Sequence, residues 1–170
     1  MNNAATLPLS ASAIRWLWIS LLVIVVDQLS KLYIERTMVL GDSFVVLPIL
    51  DIVRAHNTGA AFSFLADAGG WQRWAFTLLA VGVSIALVFW MRKLALATQG
   101  MLAFGVALIL GGAIGNVIDR VEHGYVVDFV HAHWGTHYFP AFNVADAAIS
   151  IGAVLVILDS LLEGRSRRAA

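Results

Sequence analysis

The chain has 170 residues, of which 60% are hydrophobic and only 13% are charged, and its mean hydropathy is +0.83. A soluble domain is typically about 45–50% apolar and about 25% charged, so this composition indicates a membrane protein. The formal net charge of zero argues against nucleic acid as a partner, and the absence of cysteine excludes disulfides, thiolate metal sites and cysteine nucleophiles.

Four apolar stretches predict four membrane-spanning helices within a single domain that covers residues 1–170. They lie at about residues 14–33, 74–91, 101–119 and 144–162. Each stretch is close to the ~20 residues that a helix needs to cross the hydrocarbon core. The predicted fold class is therefore an all-α membrane protein with four transmembrane helices.

Basic residues are unevenly distributed among the segments that connect and follow the spans. The second loop and the C-terminal tail hold Arg92, Lys93, Arg165, Arg167 and Arg168. The loop at residues 121–142 holds no Lys or Arg. The positive-inside rule predicts that both termini and the second loop are cytoplasmic, and that the first and third loops face outward.

The first loop, at about residues 37–71, predicts a small extracytoplasmic β platform. Its segment FVVLPILDIVRA is rich in β-branched residues and is typical of strand, with an edge or a break at Pro48. The sequence from Asn57 to Gly59 predicts a turn. The following segment AAFSFL adds an apolar patch, which we expect to lie at the outer membrane surface.

Polar residues on the first and third spans fall on shared helix faces near the predicted outer end. Asp27 and Lys31 are four residues apart, and the structural alternative for them is an ion pair that anchors the helix at the membrane interface. Asn116, Asp119 and Arg120 also share a face. They could join helices, or Arg120 could hold a substrate carbonyl or a lipid phosphate. Both interpretations stay open.

Two aspartates flank the third loop. Asp146 follows Asn143 by three residues where the fourth span begins, a spacing that favours a helix cap and a favourable interaction with the helix dipole. A cap does not explain Asp128, which lies in the apolar segment VVDFV at the same predicted level. Two carboxyls that meet can divide the roles of proton donor and proton acceptor.

The third loop also carries His131, His133 and His137 in the pattern H-x-H-x3-H, which is similar to a zinc ligand set. The same loop holds Trp134 and Tyr138, and aromatic residues of this kind are common at the membrane interface. We favour the interfacial interpretation and expect neither a metal nor a cofactor.

Five motifs in order make the chain resemble the lipoprotein signal peptidases, also called signal peptidase II. They are DQLSK at 27–31, NTGAAFSF at 57–64, GGAIGNVIDR at 111–120, VVDF at 126–129 and FNVAD at 142–146. The resemblance implies a bacterial, multi-pass enzyme of the inner membrane with its active site at the outer face. Its substrates would be diacylglyceryl-modified prolipoproteins, cut immediately before the lipidated cysteine, with membrane lipids as further partners. We expect a monomer.

The resemblance also implies roles for individual residues. The catalytic pair would be Asp128 and Asp146. Substrate would be bound by Asn57, Asn116, Arg120 and Asn143, and the site would be stabilised by Asp27, Lys31 and Asp119.

Reasoning from the residues leads to compatible chemistry. No Ser-Lys or Ser-His arrangement with a plausible catalytic spacing lies in the outer-facing motifs, so water activated by a carboxylate remains as the nucleophile. Two alternatives stay open: a metal-dependent membrane hydrolase, which a chelator would inhibit, and a non-enzymatic transporter or assembly subunit, which would bind a lipidated peptide without cutting it.

Overall fold

The computed structural model describes residues 7–59 and 69–169, with side chains up to residue 163. It contains four helices: α1 at Leu17–Thr37, α2 at Trp71–Lys93, α3 at Gly100–Glu122 and α4 at Val144–Ala169. A short 3-10 helix at Ala13–Trp16 precedes α1. All four long helices are apolar enough to cross a membrane, which confirms the predicted four-span fold. The predicted apolar patch AAFSFL lies outside the described residues.

The third helix is the centre of the bundle, and glycines explain why. It packs against each of the other three helices. A Cβ added to Gly111 would lie 2.8 Å from the Ser20 carbonyl oxygen, and one on Gly112 would overlap the Ala145 carbonyl oxygen. Backbones approach this closely only where the side chain is absent. The glycines at 111, 112 and 115 therefore let α1 and α4 pack closely on adjacent sides of α3.

A four-stranded antiparallel sheet lies at one end of the bundle. Its strands are β1 at Ser43–Leu47, β2 at Leu50–Asn57, β3 at Val126–Trp134 and β4 at His137–Tyr138, in that order across the sheet. The first two confirm the predicted strands, with the turn between them at Pro48 and Ile49. The sheet is larger than the predicted platform because β3 and β4 come from residues 126–138, which the sequence predicts to be part of the third loop.

One face of β3 packs against the end of α1. Val127 and Phe129 form a buried apolar cluster with Ile34 and Met38. Side chains alternate along a strand, so Asp128, between Val127 and Phe129, faces the opposite side. Because β3 packs on α1 through its other face, the Asp128 carboxyl faces the space enclosed by the helices and the sheet.

Candidate active site

Asp128 is held by amide donors from two other segments. Its Oδ2 accepts a hydrogen bond from Asn57 Nδ2 at 3.0 Å, and its Oδ1 accepts one from Asn143 Nδ2 at 2.7 Å. Asn57 ends β2 and pairs with Val126 in the sheet, so the register of β2 and β3 places the amide beside the carboxyl. Asp128 is only 2% exposed.

Asp146 lies in the first turn of α4 and forms a reciprocal cap with Asn143. The Asn143 Oδ1 accepts a hydrogen bond from the Asp146 backbone N–H at 2.9 Å, and Asp146 Oδ2 accepts one from the Asn143 backbone N–H at 3.3 Å. This arrangement satisfies donors at the helix start and confirms the predicted cap. The other carboxyl oxygen, Oδ1, accepts a hydrogen bond from Asn116 Nδ2 at 2.8 Å.

The two aspartates are thus connected through one residue. Asn143 donates its side-chain amide to Asp128 and its backbone N–H to Asp146. Both carboxyls line the same cavity of about 860 Å³, together with Asn57, Asn116 and Arg120. The structure brings together the residues that the sequence analysis assigned to catalysis and substrate binding, with Asn143 fully buried between the two aspartates.

The environment of Asp128 favours its protonated form. Burial, and next the negative charge of Asp146, raise the pKa of Asp128 from 3.8 to about 7. Hydrogen bonds from Asn57 and Asn143, and the charge of Lys31, act in the opposite direction but do not cancel the effect. A carboxylic acid of this kind can hold a proton near neutral pH and donate it during a reaction.

A buried ionic cluster lies beside the aspartate pair. Lys31 Nζ lies 2.7 Å from Asp27 Oδ2 and 2.9 Å from Asp119 Oδ2, and it donates a hydrogen bond to Asn116 Oδ1 at 3.1 Å. The side chains of the ion pairs are at most 3% exposed. Asp27 and Lys31 therefore form the ion pair that their spacing on one face of α1 favours. Because α3 covers this pair, it lies in the protein interior rather than on the outer surface of the bundle.

The cluster also fixes the backbone that carries the two aspartates. Asp27 Oδ1 accepts a hydrogen bond from the Ala145 backbone N–H at 2.9 Å, in the first turn of α4. Asp119 Oδ2 accepts one from the Val127 N–H at 3.0 Å, next to Asp128. The buried charges are stabilised by several partners each, as charges in an apolar interior must be.

Gln28 is a member of this network that the sequence analysis missed. Its Nε2 lies within hydrogen-bond distance of Asp119 Oδ1 at 2.8 Å, of Asp27 Oδ2 at 3.2 Å and of the Gly115 carbonyl oxygen at 3.2 Å. Its position in the motif DQLSK was the only feature of the sequence that could have indicated this role. Helical spacing did not reveal the role because Gln28 is adjacent to Asp27 rather than one turn away.

Arg120 lies on the cavity wall, where its guanidinium donates hydrogen bonds to two backbone carbonyl oxygens. Its Nη2 donates to the Gly59 carbonyl oxygen at 3.0 Å and its Nη1 to the Asn116 carbonyl oxygen at 3.4 Å. The guanidinium also lies 5.6 Å from the centre of the Phe76 ring. The Asp119 oxygens contact Lys31, Gln28 and the Val127 N–H instead of Arg120.

The histidines of the outer segment make ring contacts. His131 and His133 each lie 5.1 Å from the Tyr138 ring, and His133 Nε2 lies 3.4 Å from Asp51 Oδ1. Within residues 7–59 and 69–163, no group of three His, Asp or Glu side chains could hold a metal ion. The observed contacts are those of aromatic packing on the sheet.

Comparisons with known proteins find matches that cover most of the chain. The family model described as Signal peptidase (SPase) II matches residues 19–162. A lipoprotein signal peptidase of Shewanella halifaxensis is 50% identical over 154 residues, covering 91% of this chain and 90% of the relative. One from Pseudomonas putida is 52% identical over 155 residues, covering 90% of each.

A solved structure described as a bacterial membrane enzyme at 2.3 Å resolution superposes with a TM-score of 0.76. It is 35% identical and covers 88% of each chain. A second, at 1.9 Å resolution, has a TM-score of 0.70 and 34% identity, covering 85% of this chain and 90% of the other.

Proposed function

The chain belongs to the signal peptidase II family, and from this premise we propose that it is an intramembrane aspartyl endopeptidase. Its substrates are prolipoproteins that already carry a diacylglyceryl group on a cysteine, and it cuts the peptide bond immediately before that cysteine. The relatives of about 50% identity, named lipoprotein signal peptidases, support the substrate class. The catalytic type depends on the residues at the site.

The observation that carries the proposal is that Asp128 and Asp146 both accept hydrogen bonds from Asn143 and both line the same cavity. Asp146 accepts two hydrogen bonds and lies in the first turn of α4, where the helix dipole stabilises negative charge. Burial, and then the charge of Asp146, raise the pKa of Asp128 to about 7. The two environments suit an ionised and a protonated carboxyl, which is the division that aspartyl protease chemistry needs.

The reaction uses water as the nucleophile. The Asp146 carboxylate takes a proton from water as the water oxygen attacks the carbonyl carbon of the scissile bond. Protonated Asp128 donates its proton toward the carbonyl oxygen. When the tetrahedral intermediate collapses, the C–N bond breaks and the amine takes a proton from the pair. The products are a signal peptide with a free carboxylate and a lipidated cysteine with a free amino group.

The neighbouring polar residues position these groups. Asn57 and Asn143 orient the Asp128 carboxyl, and Asn116 orients Asp146. Arg120 is close enough to the cavity to hold a substrate carbonyl with a guanidinium N–H. The buried ionic cluster of Asp27, Lys31 and Asp119 joins α1, α3, α4 and β3, and so fixes the positions of these elements around the two aspartates.

The rest of the cavity suits a substrate that is itself embedded in a membrane. Apolar side chains of α2 and α4 extend the lining away from the aspartates, among them Leu79, Val83 and Ile151. Such a surface can accept an apolar signal helix or acyl chains. We place the site at the outer face of the inner membrane, with both termini in the cytoplasm, and no cofactor takes part.

Cleavage of a lipidated prolipoprotein by purified variants tests the proposal. Asp128→Asn and Asp146→Asn are nearly isosteric changes that remove the titratable group without opening a cavity. Each should abolish cleavage, since the two carboxyls act as a unit, and the double variant should be no worse than either single one. Asp159→Asn, on the far part of α4, is the matched control and should remain active.

Membrane insertion and detergent stability of each variant are measured in parallel. Substantial turnover by a folded Asp128→Asn or Asp146→Asn protein would refute the aspartyl mechanism. Inhibition of the parent protein by a chelator would favour the metal-dependent alternative instead.

A further inference from the structure

A second cavity lies on the lipid-facing side of the bundle, away from the candidate active site. Helices α1 and α2 both pack on α3 but make little contact with each other. Between them lies a groove of about 550 Å³, with Leu110 and Ile114 of α3 as its floor. It shares no lining residue with the cavity that holds the two aspartates.

The groove walls are almost entirely apolar. Leu21 of α1 and Phe89 of α2 line it and are 61% and 65% exposed, so the walls are open toward the surrounding hydrocarbon. Lining residues on α1 run from Leu17 to Ile24, a rise of about 10 Å at 1.5 Å per residue. An elongated apolar groove of this kind is suited to an acyl chain lying parallel to the helices.

Cationic side chains lie at one end of the groove. Arg92 and Lys93 end α2, about one turn beyond Phe89, and both are exposed. The chain before α1 is held beside them, because Ser12 Oγ lies within hydrogen-bond distance of the carbonyl oxygens of Met91 and Arg92, at 3.0 and 2.9 Å. This connection brings exposed Arg15 to the same end of the bundle.

This cationic end has no neutralising partner among the described side chains. Neither Arg92 nor Lys93 has a carboxylate within 4.0 Å. The sequence contains no Asp or Glu from residue 7 to residue 26 or from residue 69 to residue 118. The groove is therefore lined by apolar side chains along its length and has positively charged side chains at one end.

We propose that this groove is a binding site for one anionic phospholipid. One acyl chain lies between α1 and α2, and the headgroup phosphate contacts Arg92, Lys93 and Arg15. Basic pockets between transmembrane helices bind anionic headgroups, and the guanidinium fork matches phosphate oxygens. A zwitterionic lipid places a second cation near the same side chains and binds less tightly. Lipid binding in this groove does not require the proposed reaction.

Lipid binding to the purified full chain tests the proposal. The delipidated protein is titrated with phosphatidylglycerol and with phosphatidylcholine of identical acyl chains, and bound lipid is counted by native mass spectrometry. Each cation near the surface contributes about fivefold in affinity for an anionic lipid. Phosphatidylglycerol should therefore bind at least several-fold more tightly than phosphatidylcholine. Equal affinities for the first bound lipid would overturn the proposal.

Two variants locate the site. Arg92→Gln combined with Lys93→Gln should lower the affinity for phosphatidylglycerol by roughly twentyfold. The control that combines Arg167→Gln with Arg168→Gln removes the same charge from the tail and should leave the affinity unchanged. An equal loss in both double variants would show that total charge matters and the groove does not.

A third variant tests the apolar part of the site. Val88→Trp fills the groove, so it should weaken binding of both lipids while the preference for phosphatidylglycerol remains. Undiminished binding of both lipids to this variant would overturn the proposal. So would complete displacement of the lipid by soluble glycerol phosphate, because a headgroup alone cannot occupy the groove. Cleavage of prolipoprotein is measured for each variant as well. A variant that still cleaves is folded, so its loss of lipid binding can be assigned to the groove.

Discussion

Protonation of Asp128 should make the stability of this protein depend on pH near neutrality. Burial, and then the charge of Asp146, raise the pKa of Asp128 from 3.8 to about 7. At about 1.4 kcal/mol per pH unit, this difference means that ionising Asp128 costs the folded state on the order of 4 kcal/mol. The residue is 2% exposed, so solvent does little to screen the effect.

The direction of this pH dependence follows because the pKa of Asp128 is higher in the folded protein than in the unfolded chain. The penalty is absent below about pH 4, where Asp128 is protonated in both states. It grows as the pH rises, because the unfolded chain ionises first, and it is complete above about pH 7. The wild-type protein should therefore lose stability across this range relative to a variant that cannot ionise.

Asp128→Asn is that variant, and it has a cost of its own. The new amide nitrogen must face either Asn57 Nδ2 or Asn143 Nδ2, so one donor loses its acceptor. A lost buried hydrogen bond costs about 1–3 kcal/mol at any pH. The variant should therefore be less stable than the wild type near pH 4 and more stable above pH 7.

Thermal unfolding in detergent between pH 4 and pH 9 measures this crossing. A change of 1 kcal/mol shifts Tm by roughly 2–4 °C in a protein of this size, so the difference in Tm should change by roughly 10 °C across the range. Asp159→Asn is the control and should give a curve parallel to the wild type. Parallel curves for Asp128→Asn and the wild type would refute the reasoning, as would cleavage that keeps accelerating above pH 8, where the Asp128 proton is lost.

Three further predictions concern the cavity, the helix packing and the topology. Arg120→Lys keeps the charge but loses the two-nitrogen contact with the backbone, so cleavage by the inserted protein should fall about 10- to 100-fold; near-normal cleavage would make Arg120 a simple anchor. Gly112→Ala places a methyl group on the Ala145 carbonyl oxygen and should cost about 1–3 kcal/mol of stability, seen as a lower Tm, whereas Gly82→Ala meets no atom within 4 Å and should not destabilise. A reporter fused near Gly135 should be accessible from outside the cytoplasm, and a cytoplasmic signal there would contradict the four-span orientation.

The membrane architecture could be predicted from the sequence because its physical cause is local. A bilayer requires about 20 apolar residues in succession, and that requirement is met or not met within each segment. The cap formed by Asn143 and Asp146 is local in the same sense, since its two residues are three positions apart. The resemblance to a family then indicated which polar residues to consider together.

Only the tertiary structure decided how those residues meet. Asn57 contacts Asp128 across 71 positions of sequence, through a pairing of β2 with β3 that no local pattern predicted. Lys31 is buried because the α3 glycines let two helices approach, and Asp119 bonds to Lys31 and Gln28 rather than to Arg120. Such contacts depend on how whole elements pack, whereas spacing along one helix or strand specifies only which side chains share a face.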